Sequence, residues 1–136
     1  MRAFNGVPQL DIDISRSDES GAHAWMTSIC GPHDLSVARP GHIGFRHVGR
    51  VLNTATIGYI EYGTDAQIAV DELAHFDNFC ISLPVAGSQE LTLPGRSIFS
   101  DQNTGCIIAP FQAQRLSMDK LCKKIQLTLP SALLQE

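Results

Sequence analysis

No stretch of this sequence stays apolar for more than a few residues, so nothing in it is long enough to cross a bilayer as a helix. The opening segment, MRAFNGVPQLDIDIS, has no apolar core behind Arg2 and does not read as a secretory signal. Cysteine is sparse: Cys30, Cys80, Cys106 and Cys122 are widely spaced and form no C-x-x-C pair, which argues against a zinc ribbon or thioredoxin-type chemistry. Each lies in or beside an apolar segment, where a reduced thiol packs as a small hydrophobe, and a cytoplasmic location is expected. Positive charge is also short. Ten basic residues against fourteen acidic ones leave a net charge of −4, a poor basis for this chain alone to grip DNA or RNA. Glycine-rich phosphate loops, internal repeats and low-complexity tracts are missing as well. What remains is a 136-residue chain, 43% hydrophobic and 18% charged, of a size and composition suited to one globular domain.

The spacing of apolar residues predicts one long helix, over about 16–30. Ser15 is placed to cap it with Asp18 three residues on, and Ala22, Trp25, Met26 and Ile29 form one apolar stripe. Gly31-Pro32 ends it, because glycine adopts the left-handed cap and proline cannot continue a helix. From His33 onward the period changes to two. Strands are expected near 33–38, 42–48, 55–62, 66–70, 78–86, 89–93, 96–100, 105–109, 113–118 and 121–129. Phe79, Ile81, Leu83 and Val85 share one face of their strand, with Cys80, Ser82 and Pro84 on the other. In the last strand Leu121, Ile125, Leu127 and Leu129 oppose Lys124, Gln126 and Thr128. Turns at Gly63-Thr64-Asp65, Gly87-Ser88, Pro94-Gly95 and Asn103-Thr104-Gly105 divide the runs. Pro84 marks a sheet edge or a bulge. Many short strands with almost no helix between them indicate a sandwich or barrel. At the end, LPSALLQE looks like the start of a helix with Pro130 in its first turn.

The segment GHIGFRH, residues 41–47, concentrates two histidines and an arginine. As a metal site it is weak. His42 and His47 differ by five, so in a strand they point to opposite faces, and Glu61, Glu72 and His75 fall at the wrong distances for a cupin-type ligand set. The fold could still bring His33 or His75 to such a site. A strand fits better, with Ile43, Phe45 and His47 on one face and Arg46 on the other. In TIGYIEYG, Tyr59 and Glu61 share one face and Ile60 and Tyr62 the other. Two accounts of these polar groups stay open: solvated or structural side chains, or a few convergent groups lining a small barrel cavity, where Arg46 would pair with an anionic ligand and the tyrosines with an aromatic one. No Ser/His/Asp or Cys/His order suggests a catalytic triad, and no catalytic residue is assigned.

Taken in order, ICGPHDL, FRH, GYIEYGTDAQI, FCISLPVAGSQEL and GCIIAP resemble the amino-terminal effector-binding domain of AraC/XylS transcriptional regulators, in the branch called AraC-binding-like, and the likeness runs from about Ser15 to Glu136. The resemblance implies a mainly β, cupin-like double-stranded β-helix (a jelly-roll barrel) with one amino-terminal helix and the start of a carboxy-terminal linker helix. It further implies ligand sensing and self-association, control of a DNA-binding unit that lies outside this chain, and no cofactor, metal or membrane. Its partners would be a small-molecule effector, with an organic or aromatic acid as one class, and DNA only through the missing helix-turn-helix domain. It carries over no binding residue by itself. Arg46, His47, Tyr59 and Tyr62 are the candidates because they occupy the polar and aromatic strand positions described above. A ligand-free dimerisation module and a small metal-dependent cupin enzyme are the alternatives. The arm MRAFNGVPQL, pliable at Asn5-Gly6, could cover a barrel mouth.

Overall fold

The alternating segment after the amino-terminal arm becomes strand β1 (Gln9–Arg16), not merely a prelude to the helix. The computed structural model describes residues 9–71 and 77–134. The arm up to residue 8, Glu72, His75, Gln135 and Glu136 lie outside them. Helix α1 (Glu19–Cys30) starts three residues later than its periodicity suggested. Ser15 and Arg16 are held in β1 by pairing with Arg46 and Phe45, so Asp18 takes over as the cap and accepts from the Gly21 N–H at 3.4 Å. The far end follows the expected chemistry: Gly31, at φ 110°, returns its N–H to Thr27 O at 2.9 Å.

Ten further strands follow: β2 (Asp34–Val37), β3 (Phe45–Leu52), β4 (Ala55–Glu61), β5 (Ala66–Val70), β6 (Asn78–Ala86), β7 (Gln89–Leu93), β8 (Arg96–Ser100), β9 (Cys106–Ile108), β10 (Gln114–Met118) and β11 (Lys123–Pro130). They make two antiparallel sheets, ordered β1-β3-β4-β11-β6-β9 and β2-β5-β10-β7-β8. The two face each other around one interior, a cupin-like architecture. β3 begins at Phe45 rather than 42 because Gly41 turns the chain at φ 82°. Proline 84 sits where the β6–β11 register slips, since Lys123 faces Ala86 while Lys124 faces Pro84. Pairing with β9 reaches only from Cys80 to Ser82, so no ladder bond is demanded of the missing Pro84 N–H on that side. The expected carboxy-terminal helix is replaced by a 3-10 turn (Ser131–Leu134), and Pro130 closes β11 opposite Asn78.

The parity within each strand is as the alternation required, but hydropathy does not tell which face is inside. On β11 it is Lys124, Gln126 and Thr128 that are buried, at 2%, 6% and 2% exposure. On β6 it is Cys80 and Ser82. The rows run across strands: Gly58–Gln126–Ser82–Cys106 and Thr56–Thr128–Cys80–Ile108 point inward. Ile57–Leu127–Ile81–Ile107 and Tyr59–Ile125–Leu83 occupy the opposite, outer face.

A polar contact at Trp25 helps fasten the helix over the interior. Trp25 donates its indole N–H to His47 Nδ1 at 2.9 Å, and His47 is 1% exposed. The donor fixes the neutral tautomer, with the proton on Nε2. Gly58 leaves room for that ring: a Cβ there would stand 2.8 Å from His47 Nε2. Burial pushes the His47 pKa from 6.5 down to about 4. The unfolded chain therefore binds the extra proton between about pH 6.5 and 4. This contribution, up to about 3 kcal/mol, is complete above 6.5 and lost as pH falls toward 4. Denaturant melts across that range are expected to show stability falling with acid, with a shallower fall in His47→Gln.

Candidate functional site

Within the barrel, α1 and both sheets enclose a cavity that offers about 40 Å³ to the centres of water-sized spheres. That is room for roughly three waters, or for a small organic molecule if the walls give. Its apolar wall comes from Met26 on α1, Ile60 on β4, Ile68 and Val70 on β5, Leu91 on β7 and Leu116 on β10. Into this wall are set His33, Tyr62, Gln114, Lys124 and Gln126.

Their hydrogen bonds leave gaps. His33 Nδ1 faces Gly31 O at 2.9 Å, and because a carbonyl only accepts, the proton sits on Nδ1 and Nε2 presents a lone pair. Burial lowers the His33 pKa, which keeps the ring neutral. Gln114 Nε2 donates to Ala109 O at 2.7 Å, leaving its carbonyl oxygen toward the interior. The Tyr62 ring packs on Phe45 with centroids 5.0 Å apart, and burial pushes its hydroxyl pKa upward. Among the described residues, the buried side-chain polar atoms without a partner are His33 Nε2, Tyr62 Oη, Gln114 Oε1 and Ser100 Oγ, and the first three belong to residues lining this cavity. Orphans of this kind are rare in native interiors because each carries its full desolvation cost.

Lys124 is the most unusual member. Its ammonium donates to Gln89 Oε1 at 3.2 Å, and no carboxylate among the described residues pairs with it. Gln89 in turn donates to Ser82 Oγ at 3.0 Å and Cys106 Sγ at 3.6 Å. Gln126 Nε2 reaches Thr128 Oγ1 at 3.3 Å and Cys30 Sγ at 3.4 Å. Burial lowers the Lys124 pKa, only partly countered by the surrounding thiols. All four cysteines are free and buried. The Cys80 thiol is held protonated by its interaction with Cys30 and by burial.

The four residues singled out from the sequence divide by parity. Tyr62 lines the cavity, while His47 is buried beside it as the partner of Trp25. Arg46 and Tyr59 lie on the outer face. Arg46 meets Asp13 at 3.6 Å and stands across the ladder from Glu61. Tyr59 donates to Glu61 Oε1 at 2.8 Å, and burial together with that carboxylate pushes its pKa up to about 12. His42 is exposed, and among the described residues no three His, Cys, Asp or Glu side chains converge as a metal site. Periodicity could not single out Lys124, Gln114 or His33. The one hint was that the polar face of β11 opposes an equally strong apolar face.

The sequence profile of the AraC-binding-like domain matches residues 22–136. The chain belongs to that family. No curated protein sequence matches it. Among solved structures, the AraC-like transcriptional activator CuxR superposes with a TM-score of 0.74 at 11% identity, covering 92% of this chain and 49% of its own. This AraC-binding-like domain thus spans about half the length of that activator. A putative ethanolamine utilization protein q from Salmonella typhimurium (TM-score 0.51, 8% identity, 91% of this chain and 98% of that one) shares the fold. So does the Cnp3 cupin domain of Schizosaccharomyces pombe (TM-score 0.51, 11% identity, 91% and 90%). At these identities the structural likeness speaks to fold, and the family points to a regulatory rather than a catalytic domain. No described helix is long and apolar enough to cross a membrane.

Because Gln89 Oε1 is also within 3.4 Å of Ser82 Oγ, removing the ammonium strands no acceptor. Lys124→Met is expected to raise the thermal midpoint in scanning calorimetry, since it replaces an uncompensated buried amine with an apolar chain of similar length.

Proposed function

We propose that this domain senses a small molecule in its barrel and passes the result to a DNA-binding partner unit. The observation that carries the reading is the set of three unpartnered polar atoms, on His33, Tyr62 and Gln114, among the residues that line a largely apolar cavity. A barrel built only as a scaffold would gain by filling that space and pairing those atoms. An AraC-type domain implies an effector, and the resemblance drawn from the sequence puts a DNA-reading unit beyond it.

The geometry also supplies a route for the signal. Met26 and Cys30 on α1 form part of the cavity wall. Asn78 Nδ2 holds Cys30 O at 2.7 Å, and Trp25 ties the same helix to His47. An effector larger than a few waters must press on α1, and it biases the regulator by as much as its affinities for the two helix positions differ. Tyr62, the one cavity-lining residue among the sequence-derived candidates, remains in the proposed site. His33, Gln114, Lys124 and Gln126 join it.

Self-association has its own support in the outer face of the six-stranded sheet. Ile57, Leu83, Val85 and Ile107 are 40%, 47%, 53% and 59% exposed there and adjoin Ile125 and Leu127. An apolar patch across four strands is the kind of surface that proteins cover.

Two measurements test this reading. Trp25, the only tryptophan, sits beside the cavity-facing residues of α1. A fluorescence and thermal-shift screen of small acids, alcohols, amides and sugars should give ligands that alter Trp25 emission and raise the melting temperature by mass action. No response across the screen would leave a filled structural barrel as the better account. In analytical ultracentrifugation the chain should associate at micromolar concentration, and Leu83→Glu with Ile107→Glu should render it monomeric while leaving its circular dichroism unchanged.

A further inference from the structure

Lys124 shows what the ligand must bring. Lys124 is among the cavity-lining residues at 2% exposure, and its ammonium has one neutral acceptor, Gln89 Oε1, so two of its three N–H donors have no partner among the described residues. The nearby acids are engaged elsewhere: Asp119, five residues before it, accepts from Ser88 Oγ at 2.9 Å, and Glu61, paired with Lys123 across the ladder, takes the Tyr59 hydroxyl on the outer face. A cation enclosed among thiols, amides and aliphatic chains is unfavourable, and a counter-charge that enters with a guest relieves that cost.

A different polarity marks the other unpartnered atoms. His33 Nε2 and Gln114 Oε1 are both acceptors and lie at one end of the five-stranded sheet: Gln114 is paired with Val70, and Asp34, next to His33, with the adjacent Ala69. Lys124 projects from the opposite sheet, at the register position shared by Ile60 and Pro84. The cavity thus has a donor side and an acceptor side, with apolar walls between them. Tyr62 Oη serves either role.

We propose that the effector is a small carboxylate whose anionic group is anchored by Lys124, and whose far end carries a hydroxyl or amine donor directed at His33 Nε2 and Gln114 Oε1. The assignment rests on the sensing function proposed above and narrows it to one ligand class. It also moves the anion anchor from Arg46, whose charge is answered on the outer face by Asp13, to a residue inside the barrel. The limited free volume favours acids of a few carbons, with aromatic acids requiring displacement of Met26 or Leu116.

The test uses the whole chain and matched probes: short hydroxy and amino carboxylates, each beside its neutral amide and its carboxylate lacking the donor group. Binding is read by Trp25 fluorescence and isothermal titration. The carboxylate should bind roughly 10- to 100-fold more tightly than its amide, the span expected for losing a charge-assisted contact in a buried site. The carboxylate without the donor should bind more weakly than its parent, and Lys124→Met should erase the preference for acid over amide. The wild-type comparison stands even if the variant misfolds. Equal binding of acid and amide overturns the Lys124 assignment but leaves the sensing function in place, whereas no binding by any probe overturns both. Borohydride trapping with the matching aldehydes supplies a separate check: a covalent adduct at Lys124 would show the amine acting as a nucleophile and would overturn its role as a fixed cation.

Discussion

An inward-facing polar ladder on the central strand β11 governs this structure. Lys124, Gln126 and Thr128 point into the barrel from a strand that pairs on both sides, with β4 and β6. Three polar side chains in that position cannot be solvated by bulk water, so the interior must answer them. Gln89, Ser82, Cys106 and Cys30 answer in part, through a mesh of amide, hydroxyl and thiol contacts. The mesh is incomplete beside the cavity, where His33 Nε2, Tyr62 Oη and Gln114 Oε1 have no partner among the described residues.

The same ladder explains the outside. Because strand residues alternate, turning the polar set inward turns Ile125, Leu127 and Leu129 outward, and the neighbouring strands follow with Ile57, Ile81 and Leu83. The apolar outer face of the six-stranded sheet and the inward polar row of β11 are therefore one structural fact, tied by register. Helix α1 joins β3 to the cavity wall, since Trp25 holds the β3 imidazole while Met26 and Cys30 line the cavity.

Legibility followed the physics of each feature. Alternation and turn chemistry located the strands after His33, and the glycine–proline pair located the end of α1, because these depend on local backbone preference. The start of α1 was misplaced for the opposite reason: Ser15 is a good cap, but sheet pairing with Arg46 claimed it. The turn at Ser131–Leu134 likewise reflects β11 running on through Pro130, which local propensity did not foresee. For the site, parity separated His47 from Arg46 and Tyr62 from Tyr59 within their own segments, yet could not say which of each pair was inside.

The sequence by itself determined where the chain alternates, which side chains share a face, and that one amphipathic helix precedes the strands after His33, because each of these is settled by neighbours within a few residues. Only the tertiary structure decided that the Lys124 face is the interior one, and that His33, Tyr62, Gln114 and Lys124 surround one space. Those residues lie on separate segments from position 33 to position 124 and meet only when two sheets close on each other. Hydropathy could not anticipate the outcome because burial of a face depends on what packs against it, and here the more apolar face is the one the barrel leaves outside.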